Sequence, residues 1–466
     1  MRRVNGSISV FLALTITMLL SFCMVLIESA RENTLLLKAD IVFDTGVKSL
    51  LAEYHTVLWE EYDLFYVDCS YGTQLPDYGL VKNHLQKYVD KNFEYDFGSW
   101  LSLDYEGAQI TDVLLATDFQ GEDFYLQAVE AAEASVGIPY IEQALKWLEQ
   151  VEANAAVGES MREDKQEASS AIEEANGTEV EVKEAVWGTG KAGQPILLEE
   201  AEYEVVDIDN PLDRLLSANI LLQQVVEDSS NISSVSVDVN SLASHRNLSA
   251  GTVTDSMDAD GLWNKVLFCK YVIDHFECYT DDMDEEQTGL RCELEYLIGG
   301  RASDAQNLEI VVAELLAIRE IDNYLTILQD EERQLSAHSI AAVAASLVPW
   351  LEPVVYHAVL LYWAYEDSVA DLQRLFRGEN IPLVKSLPVD AITDFTLGYE
   401  EYLMLLLLLQ SRENLAMRSI DMIELFVREK QSSFRMDACI SSAVFTGTFW
   451  DIYDKKYTIT KKLQYY

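Results

Sequence analysis

The sequence predicts an α+β, predominantly helical protein. A single N-terminal transmembrane helix continues into a long amphipathic helix, followed by an extracytoplasmic α+β body. Three observations predict it. Ile8–Ile27 is a run of twenty apolar or small residues without a charge. From Glu28 to Glu61 helical spacing continues with no proline and one glycine, Gly46. The rest mixes long helix-forming stretches with short aromatic or β-branched runs closed by Gly, Ser and Asp.

Twenty helical residues rise about 30 Å, the thickness of a bilayer's hydrocarbon core, and a lone span satisfies its backbone in lipid only as a helix. Ser9, Thr15, Thr17 and Ser21 can return their hydroxyls to a carbonyl one turn earlier. A cleaved signal peptide has a shorter apolar region and a small-x-small exit. Here Glu28 would stand three residues before a cut after Ala30, so a retained anchor is expected. Arg2 and Arg3 lack the flanks of a twin-arginine export signal. Ahead of the span they predict a cytoplasmic N-terminus, with the bulk of the chain outside the cell membrane.

Past the span, Phe43, Val47, Leu50, Tyr54 and Val57 recur at one-face spacing. Span and extension together predict one helix of about 55 residues, on the order of 80 Å. Tyr62–Asp68 reads as an aromatic strand, Val81–Phe93 as a helix, Ala108–Ala116 as a strand and Asp123–Ser135 as a helix. Ile141 to Ala175 has helical composition with heavy charge, after which acidic residues and glycines dominate. The predicted organisation is a basic head (1–6), the span (7–27), the long helix with a first α+β region (28–156), an acidic flexible linker or insertion (157–209) and a helix-rich C-terminal α+β region (210–466). Within the last, helices are expected at 213–227, 261–279, 304–329 (N-capped by Asp304), 336–376 with a break at Pro349 and Pro353, and 399–429. Strands are expected at 232–239, 290–298 and 432–453. Ala341–Tyr365 carries Pro349, Glu352, Pro353 and His357, which argue for a buried broken helix over a second span.

Lys and Arg number 33 against 79 Asp and Glu, a formal charge of −46. That excludes nucleic acid as a partner, since phosphate backbones need cationic neutralisation. Cys23 lies in the span; Cys69, Cys269, Cys278, Cys292 and Cys439 are too few for a disulfide framework, although a pair among Cys269, Cys278 and Cys292 stays open.

Chemistry-bearing patterns are weak. Gly188–Gly193 spells G-x-G-x-x-G, but Pro195 and a Glu-rich stretch follow where a helix should open, and Ala192 replaces the Ser or Thr of a Walker loop. Asp258 and Asp260, before Gly261, resemble the middle of a calcium loop, yet Ser256 and Leu267 occupy its outer ligand positions. His275 with Cys269, Cys278 and Cys292 matches no zinc spacing. No G-x-S-x-G or H-E-x-x-H occurs, so no catalytic residue, cofactor or metal is assigned beyond the two calcium candidates.

The stretch Arg2-Arg3-Val4-Asn5-Gly6-Ser7 running into the span, with Glu28-Ser29-Ala30-Arg31 at its exit and Lys38-Ala39-Asp40 beyond, resembles the N-terminus of TadE/TadG-type pseudopilins. The longer chain is similar to an uncharacterised membrane-protein family of Gram-positive bacteria, a domain of unknown function associated with Tad/Flp pilus loci. The stretches that carry this similarity include Ala52-Glu53-Tyr54, Leu115-Ala116-Thr117-Asp118, Asn210-Pro211-Leu212 and Ser244-His245-Arg246-Asn247-Leu248. Glu295-Tyr296-Leu297-Ile298-Gly299-Gly300, Ile318-Arg319-Glu320, Trp363-Ala364-Tyr365-Glu366 and Arg418-Ser419-Ile420-Asp421 complete them. The resemblance implies a setting rather than a reaction: partners in a pilus or secretion assembly, and processing between Gly6 and Ser7. Prepilin peptidases usually want Glu at the fifth mature position; here it is Phe11. The expectation is a non-enzymatic, single-pass surface protein of pseudopilin type. The alternatives are an anchored binding or sensor module, calcium-dependent through Asp258 and Asp260, and an anchored cell-wall hydrolase.

Overall fold

With no proline and one glycine between Ser7 and Leu51, nothing interrupts an α-helix there. The computed structural model has a single 45-residue helix, α1 (Ser7–Leu51), about 68 Å long. The structure describes all residues except 1–6, 94–98, 135, 190–194, 216, 227–231, 257–260, 282–288, 386–395 and 466. The chain divides into two compact units. The first comprises residues 1–128, 242–259 and 423–466; the second comprises 129–241 and 260–422.

The long helix ends ten residues short of Glu61, the end expected for it. His55 Nδ1 accepts from the N–H of Leu58 and starts a separate helix, α2 (Thr56–Tyr62), which Asp63 closes in the left-handed region at φ 54°. The aromatic run that follows contributes only a two-residue strand, β1 (Val67–Asp68). Helix α3 (Tyr78–Phe93), strand β2 (Leu103–Leu115) and helix α4 (Glu122–Glu133) stand where the sequence places them.

Helix α5 runs Ile138–Ala175, with Pro139 in its first turn. Its second half corrects the expected linker. Met161, Ala168, Ile172 and Ala175 are buried in the second unit's core, a stripe at helical spacing among the surface charges. Beyond it, β3 (Glu179–Lys183), β4 (Val186–Thr189), β5 (Pro195–Glu199) and β6 (Glu202–Val205) pair antiparallel as β3–β6 and β4–β5. Helices α6 (Ala218–Val225) and α7 (Leu262–His275) follow. Between them the expected strand at 232–239 amounts to one bridge, Ser236 to Ser303.

Residues 290–298 are not a strand. Glu293–Gly299 forms helix α8, closed by Gly300 at φ 62°. Helix α9 (Asp304–Ile327) is capped by Ser303, not Asp304. Asp304 instead accepts the N–H groups of Arg291 and Cys292. Asp330 caps α10 (Glu331–Ala344). Pro349 opens a 3-10 turn and Pro353 the first turn of α11 (Glu352–Phe376), so the two prolines start elements rather than kink one. Short strands β7 (Ile381–Pro382) and β8 (Thr396–Leu397) pair. The last predicted helix is two: α12 (Tyr399–Leu409), whose Leu403–Leu407 are fully buried, and α13 (Arg412–Lys430). The second unit's core gathers α5, α9, α10 and α11.

The chain then returns to the first unit with β9 (Cys439–Asp451) and β10 (Lys456–Gln464). Strand β9 is the middle of an antiparallel sheet. It pairs with β10 from Lys456–Trp450 to Gln464–Ser442, and with β2 from Leu103–Asp451 to Leu115–Ile440, while β1 adds Val67–Ile440. The second half of α1 lies on this sheet and on α3. Leu35, Ala39, Phe43, Val47 and Leu50 share a core with Phe445, Phe449, Ile459, Leu463, Val81 and Leu85. Phe43 meets Phe449 edge-on at 5.9 Å and covers Gly447, where a Cβ would come within 2.6 Å of its ring.

Candidate functional site

The feature that stands out in this α+β chain is α1, and its chemistry changes along its length. Ile8–Ile27 is exposed along nearly its whole length and is long and apolar enough to cross a membrane. Its hydroxyls are satisfied inside the helix: Thr15 donates to Leu12 O at 2.9 Å, Thr17 to Leu14 O at 2.9 Å and Ser21 to Thr17 O at 2.8 Å. One turn past Ile27 the surroundings reverse. The Arg31 side chain is 2 % exposed and donates to Glu28 and to Asp451 Oδ2, each at 2.8 Å, and to the Trp100 carbonyl at 3.3 Å. Its guanidinium lies 4.6 Å from the Tyr453 ring. Burial raises the Asp451 carboxyl, but the N–H groups of Lys455 and Tyr453 and the Arg31 cation outweigh it, and Asp451 stays below the usual range. Lys455–Glu32 and Lys461–Asp40 continue the clamp along the helix. The Glu28–Arg31 exit seen in the sequence is thus the lock between α1 and the sheet.

The other quoted stretches also prove to be polar joints. Arg246 bonds both oxygens of buried Glu424, at 2.5 and 2.8 Å, and Asp437 at 2.7 Å. Asp437 also takes Arg435 and the Ser249 N–H. Burial pushes Asp437 up, yet these donors win and hold it at about 2. In the second unit Arg319 is fully buried, bonding Asp322 and Asp371 at 3.0 Å each and the carbonyls of Pro382 and Leu383 at 2.9 Å. Lys385 closes on Asp371 from the other side. Arg418 donates to the carbonyls of Leu297 and Ile298, and Tyr296 donates to Asp421 at 2.8 Å. Beside them, among the described residues, no cation pairs with Glu293 or Glu295. Burial drives Glu293 up to about 8 and Glu295 to about 7, against partial relief from the N–H groups of Glu277 and Tyr279. Carboxyls sealed this way are held neutral or near it, out of reach of a substrate.

Half-buried Glu53 accepts from Tyr88 at 2.5 Å, Tyr71 at 2.7 Å and His84 at 2.9 Å. Its acceptor sites are filled, so it reads as a tie between the end of α1 and α3. A groove between α5 and α9, lined by Val151, Ala155, Met161, Ile318 and Ile321, carries the Lys165–Glu320 pair at its edge.

The sequence candidates fare unevenly. Asp258, Asp260 and Gly6 lie outside the described residues, and Ser7 is the first residue of α1. Gly188 and Thr189 end β4, and residues 190–193 of that glycine pattern lie outside the described residues. The six cysteines are free thiols, five of them buried, which removes the pair left open among Cys269, Cys278 and Cys292; burial raises Cys269 to about 12 and makes it inert. Among the described residues no group of three His, Cys, Asp or Glu is placed to hold a metal.

Residues 201–388 and 390–449, more than half of the sequence, match a family of unknown function, DUF5702. The chain belongs to this family. The DUF5702 match begins beyond α1 and spans the Arg246, Arg319 and Tyr296–Asp421 joints together with β9 as far as residue 449. No curated protein and no solved structure matches the chain.

Proposed function

We propose that this DUF5702 protein is a single-pass, membrane-anchored extracytoplasmic protein that serves as a pseudopilin-like, non-enzymatic component of a Tad-type pilus or secretion assembly. The observation that carries the reading is the division of α1. Its first half offers an uncharged, largely apolar surface, and its second half packs on an antiparallel sheet and is locked there by Arg31. Retention of the anchor is supported by the same residue. A cut after Ala30 would set a new α-ammonium beside a buried guanidinium and free the first N–H groups of a packed helix. Arg2 and Arg3 favour a cytoplasmic N-terminus, and the acidic body suits the aqueous exterior.

N-terminal sequencing of the native membrane form tests the processing: a start at Ser7 supports pilin-type cleavage, one at Met1 a plain anchor, and one near Arg31 a released protein that ends the proposal. Affinity capture from gently solubilised membranes is expected to co-recover pilin or pilus-platform proteins. Recovery of this chain alone argues against the assembly role.

A further inference from the structure

We infer that the first unit also rests on the bilayer's headgroup layer, through an aromatic collar formed by Trp100, Ile452 and Tyr453 where α1 leaves the membrane. The inference rests on the reading of α1 as an anchor and adds a second, non-helical membrane contact to it. These three large side chains are 50 %, 49 % and 66 % exposed. Two of them are tied to one atom group: the Trp100 carbonyl and the Tyr453 ring both contact the Arg31 guanidinium. Ile452 is the neighbour of Tyr453 in the turn between β9 and β10.

Helix geometry sets the depth of that group. Arg31 lies four residues past Ile27, about 6 Å along the axis. The polar layer on each side of the hydrocarbon core is roughly 5–7 Å deep. A collar held at the level of Arg31 therefore falls within this layer when Ile27 marks the edge of the hydrocarbon, and tilt of α1 toward the collar brings it closer. Trp and Tyr prefer that layer, where an apolar ring body and a polar edge are both satisfied. The local charges nearly cancel: Arg31 engages Glu28 and Asp451, and Lys455 engages Glu32, so three carboxylates against two cations leave a net −1 beside the lipid phosphates. The occupant that fits is the headgroup–acyl boundary of a phospholipid leaflet.

The eight tryptophans all lie outside α1, so tryptophan emission reports on the body alone. The full chain is reconstituted into phosphatidylcholine–phosphatidylglycerol vesicles whose phosphatidylcholine carries bromine either near the top of the acyl chains or deep within them. The protein is expected to float with the vesicles and to show emission quenched roughly twofold more by shallow than by deep bromine. Trp100→Phe is expected to abolish the difference. The double variant Ile452→Asp/Tyr453→Asp keeps every tryptophan and is expected to reduce shallow quenching about twofold. Flotation without quenching, or quenching that survives in both variants, overturns the collar and leaves the anchor standing; failure of the wild-type chain to float overturns the anchor itself.

Discussion

At the residue scale, the joints work because each buried charge is met by an opposite charge or by several donors. Removing one partner of such a set costs about 3–5 kcal/mol, because the remaining charge stays buried and unmatched. Arg319→Met would leave Asp322 and Asp371 with Lys385 as their cation. We expect a loss of that size, read as accelerated hydrogen exchange across α9 and α11. The two carboxylate types act oppositely with pH. Asp437, held at about 2, contributes stability that is full above its ordinary range and fades as pH falls through about 2. Glu293, raised to about 8, costs nothing below its ordinary value of 4.5 and progressively more as pH rises toward 8. Glu293→Gln is therefore expected to raise the melting temperature at pH 9 while leaving it nearly unchanged at pH 5, and an equal shift at both would refute the assignment. None of this was visible in the sequence, where Arg319 looks like any charge on a helix. Burial of an arginine is decided by what folds over it, not by its neighbours in the chain.

At the element scale, α1 binds the sheet through shape. Gly447 leaves room for the Phe43 ring against β9, and Gly46 lets α1 approach Val89 of α3, where a Cβ would stand 2.9 Å from Val89 Cγ2. Gly447→Val should push Phe43 out and destabilise the first unit by about as much as Phe43→Ala, some 3–5 kcal/mol. Limited proteolysis within residues 31–51 would report it, and wild-type resistance in the variant would contradict the packing. The helical half of this arrangement was legible, because the Phe43–Val47–Leu50 stripe repeats at helical spacing. The end of α1 was not, since a histidine cap at His55 replaces the usual proline or glycine punctuation. Residues 290–298 misled for a related reason: a short apolar run fits a buried strand and a buried helix equally well. In α5, heavy surface charge hid a sparse buried stripe.

At the scale of the whole molecule, the long apolar helix and the α+β class were legible in the sequence, and the strand pairing was not. An uncharged run of this length announces itself, whereas the sheet depends on pairing such as Leu115 of β2 with Ile440 of β9, 325 residues apart in the chain. If α1 spans the bilayer, alkaline carbonate is expected to leave the protein in the membrane pellet despite its charge of −46, and release into the supernatant would count against a span. The placement of β9 has a consequence for biosynthesis. The ribosome makes α1 and β2 early, then the whole second unit, and only afterwards the strand that joins them. Until residue 451 has emerged, Phe43 has no Phe449 to rest on and Arg31 has no Asp451. A chain arrested in between would carry an open apolar flank, a marked target for quality-control proteases. Completion of the chain, rather than of its first domain, is what closes that flank.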